Sequence, residues 1–262
     1  PDFNWVKKYG GPGGNFGNDI VTDSIGNQYV IGSFDGKMIF GEDTVLNTSK
    51  KWHMFLFKLN PNRNLSWVVQ GFGPSDGDVF GYRISKDNRG NLYIAGSFTG
   101  DQLQIGDKTV HRKGREDIFL AKLDQKGQVK WLRHYGNPDM AYGMADGALE
   151  INNNQEIYLS TESLIMKFDE RGNFVWKEEG ANIRDIQPYK DNIYVVGDGE
   201  STIFGKPVSG VYCTKLDDQG NKIWLKEGRW DYYSEDYFDD YSVVADDKGN
   251  VYFAGRGLNG IH

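Results

Sequence analysis

The stretch Gly26-Asn27-Gln28-Tyr29-Val30-Ile31-Gly32 decides how this chain is read. It returns as Gly90-Asn91-Leu92-Tyr93-Ile94-Ala95-Gly96 and again as Gly249-Asn250-Val251-Tyr252-Phe253-Ala254-Gly255. Weaker copies run from Gln155 to Ser160, carrying Tyr158, and from Asn192 to Gly197, carrying Tyr194. The tyrosines recur at uneven intervals while the residues around them stay alike, so loop lengths vary and strands do not. Recurrence on this scale is the mark of a repeat architecture, in which each unit buries its apolar faces against its neighbours.

A second recurring word lies further on in each unit. Phe57-Lys58-Leu59-Asn60 is echoed by Ala121-Lys122-Leu123-Asp124, Met166-Lys167-Phe168-Asp169 and Thr214-Lys215-Leu216-Asp217. A few residues later each copy reaches a tryptophan: Trp67, Trp131, Trp176 and Trp224. Trp5 has the same context with no unit before it. Side chains alternate with period two and no segment shows a helical period, so the units are β-strands. One unit reads as four strands: A ending near Asp23, B with the Asn-x-Tyr word, C with Lys-Leu-Asp, and D opening at the tryptophan.

The punctuation between strands has a mechanism. Asp23 to Asn27, Asp87 to Asn91 and Asp246 to Asn250 join A to B, whereas Asp169 to Asn173 and Asp217 to Asn221 join C to D. In each, an Asp side chain closes the turn on the backbone two residues on, and a Gly takes the left-handed conformation that follows. They lack the alternating acidic ligands and distant Glu of an EF-hand, so they read as hairpins and no metal is expected there.

Four antiparallel strands recurring at blade length predict an all-β chain, a β-propeller of four-stranded antiparallel blades. A β-helix or open solenoid would need shorter, more regular units. Pro1 to Gly10 align with a D strand, and Gly260 to His262 with the start of strand C. This predicts a single domain over 1–262, five blades with a composite closing blade, and a chain that stops inside that blade. A fragment of a six- to eight-bladed propeller is the alternative.

On these residues the chain resembles the bacterial β-propeller repeat family usually called SBBP, whose pattern is a GNxYxxGxF strand, an FG-containing excursion, a DxFxxKLDxxG strand pair and a Trp strand. Gly90 to Phe98, Ile105-Gly106, Asp117 to Asp124 and Trp131 match it nearly throughout. The first unit matches through Gly32-Ser33-Phe34, Phe40-Gly41 and Lys58-Leu59. The third loses its long excursion, and the fourth keeps Phe204-Gly205 but lacks the Gly before Asn192. The resemblance implies a bacterial protein that is secreted or associated with the cell surface or outer membrane, often within a larger chain. It implies no catalytic residues.

Composition narrows the partners. Charged residues sum to −7, which disfavours nucleic acid and anionic membrane. No apolar run is long enough to span a bilayer as a helix, so membrane insertion is not expected. With one cysteine, Cys213, the chain forms no internal disulfide. Cys213 aligns with Leu56, Leu120 and Ile165, which makes it a buried structural thiol rather than a nucleophile.

Binding residues concentrate on loops held by a rigid scaffold. The A–B and C–D hairpins share one face, so the longer D–A and B–C loops of the other face are where a ligand is expected. Trp230-Asp231-Tyr232-Tyr233-Ser234-Glu235-Asp236 combines aromatic faces for sugar C–H groups with carboxylates for hydroxyls, which nominates Trp230, Tyr232, Tyr233 and Asp236. The competing reading is that aromatics of this region plug the gap between blades, as Phe16, Phe80 and Tyr142 would in other units. Lys51 and Trp52, in one unit, and Arg112 and Arg115, at the equivalent place in the next, nominate a basic patch for an anionic ligand. Charged loop edges are the bland alternative.

Catalytic motifs are missing: no Gly-x-Ser-x-Gly elbow, Walker loop or His-Glu-x-x-His occurs. Gly10 to Gly17 lacks dinucleotide spacing, the four histidines are scattered, and no cofactor is implied. The expectation is a non-catalytic extracytoplasmic binding or interaction module for a glycan or a protein. A glycan-active enzyme with carboxylates at a channel mouth and a structural spacer in a larger surface protein are the alternatives.

Overall fold

The computed structural model describes residues 6–40, 44–47, 51–73, 77–136, 144, 147–180, 182–203, 206–228, 241–246, 250–257 and 260–261. The chain is all-β and antiparallel. Among the described residues no helix is long and apolar enough to cross a membrane. Two compact units divide the chain: Pro1–Ile84 with Gly90–Tyr142, and Ser85–Arg89 with Gly143–His262.

In the first unit, β1 (Asn15–Thr22), β2 (Gln28–Phe34), β5 (His53–Leu59) and β6 (Leu65–Phe72) form one meander, with the hairpin β3 (Lys37–Phe40) and β4 (Thr44–Asn47) as an excursion from it. A second meander follows, of β7 (Val79–Lys86), β8 (Leu92–Phe98), β11 (Asp117–Leu123) and β12 (Val129–Tyr135). Its excursion, β9 (Gln102–Ile105) and β10 (Lys108–His111), leaves its own sheet and pairs with β6 of the first through Gly71↔Ile105 and Phe72↔Gln104. Gly71 permits the approach, since a Cβ there would stand 3.2 Å from Ile105 Cγ1.

The second unit repeats the plan. β13 (Leu149–Ile151), β14 (Ile157–Ser160), β15 (Leu164–Phe168) and β16 (Phe174–Glu179) form one four-stranded sheet. β17 (Ile183–Tyr189), β18 (Asn192–Ile203), β19 (Lys206–Asp217) and β20 (Lys222–Gly228) form the next. Here the excursion is not a separate hairpin, because β18 and β19 pair continuously from Asn192↔Asp217 to Ile203↔Lys206. Last come β21 (Tyr241–Ala245), β22 (Val251–Gly257) and β23 (Gly260–Ile261). Trp5, on which the expected composite closure turns, lies outside the described residues.

The recurring words meet across strands. Tyr29 pairs with Lys58 and Lys58 with Trp67, and the same order holds for Tyr93–Lys122–Trp131, Tyr158–Lys167–Trp176 and Tyr194–Lys215–Trp224. Each ammonium lies over its tyrosine ring, at 5.2, 4.9, 5.6 and 5.5 Å from the centroid. Each tryptophan meets the same tyrosine with centroids 6.0 to 6.4 Å apart. Pairs of this kind are worth roughly 0.5–2 kcal/mol each when desolvated. They also fix register, because a slip of one residue would turn all three side chains to the other face.

The turns behave as expected. Asp217 Oδ1 accepts the N–H groups of Gln219 and Asn221 at 3.0 and 2.8 Å, its Oδ2 accepts the Asn221 amide at 3.0 Å, and Gly220 has φ of +85°. The Asn221 amide and these N–H groups hold the Asp217 carboxyl below the usual carboxylate range, against a desolvation that acts the other way. In addition, the turn supports the preceding sheet: Trp176 Nε1 donates to Asp218 O at 3.0 Å, and a Cβ on Gly220 would come within 3.1 Å of the indole. Trp67 does the same in the first unit, with Gln125 O at 3.1 Å and Gly127 beneath the ring.

Strands B and C are buried on both faces rather than one. Every residue of β8 is buried, as is all of β11 except Lys122. This is why the motif's last glycine is needed. A Cβ on Gly96 would collide with Phe80 O and stand 2.6 Å from Phe119 Cε1, its cross-strand partner. Gly32 is held the same way by Phe16 O and Phe55, and Gly197 by Asn182 O and Tyr212. The third repeat has Thr161 in place of the glycine, and Leu164, joined to it by a 2.8 Å backbone bond, in place of the aromatic residue.

Gly96→Ala is therefore expected to destabilise the fold by about 1–3 kcal/mol through overpacking. The Gly96→Ala/Phe119→Leu double variant should lose less than the two single losses added, because the smaller side chain relieves part of the clash. Thermal or urea unfolding of the four species checks this, and strict additivity would contradict it.

Candidate functional site

The site begins with how the first strands of neighbouring sheets are tied together. A bulge between Gly17 and Asp19 shifts the register of β1 against β2. Asp19 then reaches the neighbouring sheet, where its Oδ2 accepts the Ile84 N–H of β7 at 2.9 Å. Asn18 Nδ2 donates to Gly81 O at 2.7 Å, and Gly81 N–H to Ser33 Oγ at 3.1 Å. The second unit repeats the device, with Asp185 Oδ2 accepting Val243 N–H at 2.8 Å and Ser242 Oγ at 3.1 Å. β7 and β21 are edge strands, whose outward N–H groups need a partner beyond their own ladder.

These ties bring aromatic residues into a row. Trp52, just ahead of β5, donates its N–H to Asp78 Oδ1 at 3.0 Å and accepts Val79 N–H at 2.8 Å, which anchors it to the start of β7. Its indole lies over Gly14, where any Cβ would strike the ring. Phe16 stacks on Trp52 with centroids 5.4 Å apart and planes at 29°, and Trp52 packs on Phe80 at 5.8 Å and 32°. Phe80 stacks on Tyr82 at 5.9 Å and 17°, the two sharing one face of β7 at period two. Planes in contact lie only about 3.5–4 Å apart, so these longer centroid distances mean that successive rings are offset like stair treads. Phe16 is 58% exposed, and Trp52, Phe80 and Tyr82 are half-buried.

The polar setting is mostly acidic. Asp19 and Asp78 flank the row through the bonds just described. Burial raises the Tyr82 hydroxyl above its usual range and the Glu116 charge adds to this, while Ser97 and Arg83 act the other way. The phenol therefore stays protonated and able to donate at neutral pH.

Of the nominated residues, Trp52 joins this row, with Lys51 half-buried beside it. Arg112 is engaged by its own loop: Nε donates to Gly100 O at 3.0 Å, Nη1 to Gly114 O at 2.5 Å and Arg115 O at 2.8 Å, and Nη2 lies 3.5 Å from Asp101 Oδ1. It organises the loop rather than presenting an open charge. Arg115 is exposed. Trp230, Tyr232, Tyr233 and Asp236 lie outside the described residues. Phe16 and Phe80, expected as plugs between blades, and Tyr82, which no motif marks, are the members of the row that the sequence does not nominate as ligand contacts. For the two phenylalanines the signal was there, an aromatic at the start of strand A in two successive units.

Two histidines read as scattered turn out to have partners at equivalent places, each pair 17 residues apart in sequence. His53, 9% exposed, accepts the Gln70 amide on Nδ1 and stacks on Phe72 at 5.9 Å. In the next repeat the chemistry is reversed: Asp117, fully buried, accepts His134 Nδ1 at 2.8 Å and the N–H groups of Lys113 and Gly114 at 2.8 and 2.7 Å. Both pairs brace the base of a loop.

Among the described residues no three His, Cys, Asp or Glu side chains converge as a metal site. Cys213 is buried, and burial pushes its thiol up to about 11, so it is not a nucleophile at neutral pH.

No family model matches the chain, and no curated protein matches it in sequence. Solved structures similar to it include a protein of unknown function from Bacteroides caccae, at 10% identity over 81% of each chain and a TM-score of 0.36. A gluconolactonase from Xanthomonas campestris is 11% identical over 69% of this chain and 54% of its own, with a TM-score of 0.38. The Pan2 WD40 domain of Neurospora crassa is 12% identical over 81% of this chain and 65% of its own, with a TM-score of 0.44.

Burial holds the folded-state pKa of His53 below the ordinary 6.5, with the Asp78 charge opposing. The unfolded chain then binds the extra proton first, so stability is full above about pH 6.5 and falls as pH drops below it, by at most about 1.4 kcal/mol per pH unit from this residue. His53→Gln is expected to flatten that acid limb in urea unfolding between pH 7 and 5. An unchanged slope would assign the acid sensitivity elsewhere.

Proposed function

We propose that this chain is a non-catalytic, extracytoplasmic binding module built as a β-propeller of five four-stranded blades, and that it takes a glycan on the row Phe16, Trp52, Phe80 and Tyr82. Three features support the propeller reading: the meanders follow chain order, aspartates tie inner strand to inner strand, and tryptophans rest on the next sheet's C–D turn. The extracytoplasmic setting rests on the repeat words and their family resemblance.

The observation that carries the ligand reading is the offset row itself. Sugar rings present C–H faces that pack on aromatic faces, while their hydroxyls need acceptors and donors at the rim. Here half-covered ring faces lie beside the Tyr82 hydroxyl and beside carboxylates. The row belongs to the end of the sheets away from the A–B and C–D hairpins, where loops are long.

A glycan array probed with the full chain and with Phe16→Ala tests this. Phe16 is 58% exposed, so the variant should unfold at the same temperature as the parent. Its affinity for any bound glycan should fall roughly tenfold. Absence of binding to every glycan, or binding indifferent to Phe16→Ala, would reject the reading and favour a protein partner.

A further inference from the structure

Resting on that reading, we propose that the row takes a linear, uncharged oligosaccharide lying extended across successive subsites, and not a terminal sugar. Consecutive ring centroids lie 5.4, 5.8 and 5.9 Å apart. These near-equal steps are comparable to the length of one hexopyranose unit along an extended chain. The planes turn by only 29°, 32° and 17° from one ring to the next, so neighbouring treads face a similar way. A chain with equatorial, ribbon-forming linkages offers the same C–H face at each unit and fits such a series. A chain that coils turns its faces away after one or two steps.

Charge selects among extended chains. Asp19 and Asp78 flank the row, Glu116 lies near Tyr82, and the whole chain carries −7. On the cationic side, Arg83 lies beside Tyr82 with Nη1 on its carbonyl at 3.1 Å, Lys51 is half-buried beside Trp52, and Arg112 is engaged by Gly100, Gly114, Arg115 and Asp101. The exposed cations Lys113 and Arg115 stand on the loop between β10 and β11, so a uronic acid or sulfated chain lying on the row would meet Asp19 and Asp78 first. Four treads place the limit of length dependence at about four sugars, with each unit added before that tightening binding roughly two- to tenfold.

Calorimetric titration of the full chain with cello-, xylo-, manno- and chito-oligosaccharides of one to six units tests this, with malto-oligosaccharides as the coiling control. The expected result is affinity that rises with each unit, levels near four, and reaches a lower plateau in Phe16→Ala. If single sugars bind as tightly as hexamers while Phe16→Ala still weakens them, the glycan reading stands and the extended-chain inference falls. Malto-oligosaccharides binding as well as the ribbon-forming series would also overturn it. If no sugar of any series binds, both fall together.

Discussion

A lysine held between a tyrosine on one side and a tryptophan on the other, across three hydrogen-bonded strands, is the contact on which the rest of this structure depends. It occurs in four sheets at the same register. Its position decides which residues of strands B, C and D share a face, and so where apolar side chains go. It also explains how a chain only 38% hydrophobic builds sheets whose central strands are buried on both sides. The lysine stem and the two rings supply apolar area while the ammonium stays solvated or paired at the edge. Lys167 is the extreme case: it is 3% exposed, paired with Glu156 at 2.7 Å and with Asp218 of the following turn. Breaking one partner of such a buried pair is far more damaging than its net contribution to stability implies.

From that contact the coupling between sheets follows. The tryptophan is pushed outward over the next sheet's C–D turn, where its indole N–H finds a carbonyl and a glycine makes room. Elsewhere, an aspartate just past a bulge in a sheet's first strand reaches an N–H of the next sheet's first strand. The first meander is thus tied to the second twice, by Asp19 and by Trp67, and the first unit's aromatic row sits across the Asp19 tie. The aromatic row is therefore a product of how two sheets are joined, and no single loop creates it.

This accounts for what could be read in the sequence and what could not. Strands and turns were legible because their signals are local: an Asp that bonds backbone two residues on, or a Gly at positive φ, carries its meaning in five residues. Residues that matter through register were not. His53 and Gln70, or Asp117 and His134, meet only once strands C and D are paired. Trp52 was singled out for its charged neighbours, yet its role comes from rings in β1 and β7. The glycines before β1, empty of meaning as a nucleotide motif, make room for that indole at Gly14. The positive charge of Arg112 was visible, but the four acceptors that engage it were not, since they depend on the path of the loop.

The hairpin of β9 and β10 belongs to the second repeat but pairs with β6 of the first, through Gly71↔Ile105 and Phe72↔Gln104. As the chain leaves the ribosome, the first meander is finished some thirty residues before the hairpin that covers the end of its last strand. During that interval the emerging polypeptide carries an open sheet edge, which is a template for pairing with a neighbouring copy. Slower elongation lengthens the time this edge stands open, and a second copy close by raises the chance of mispairing.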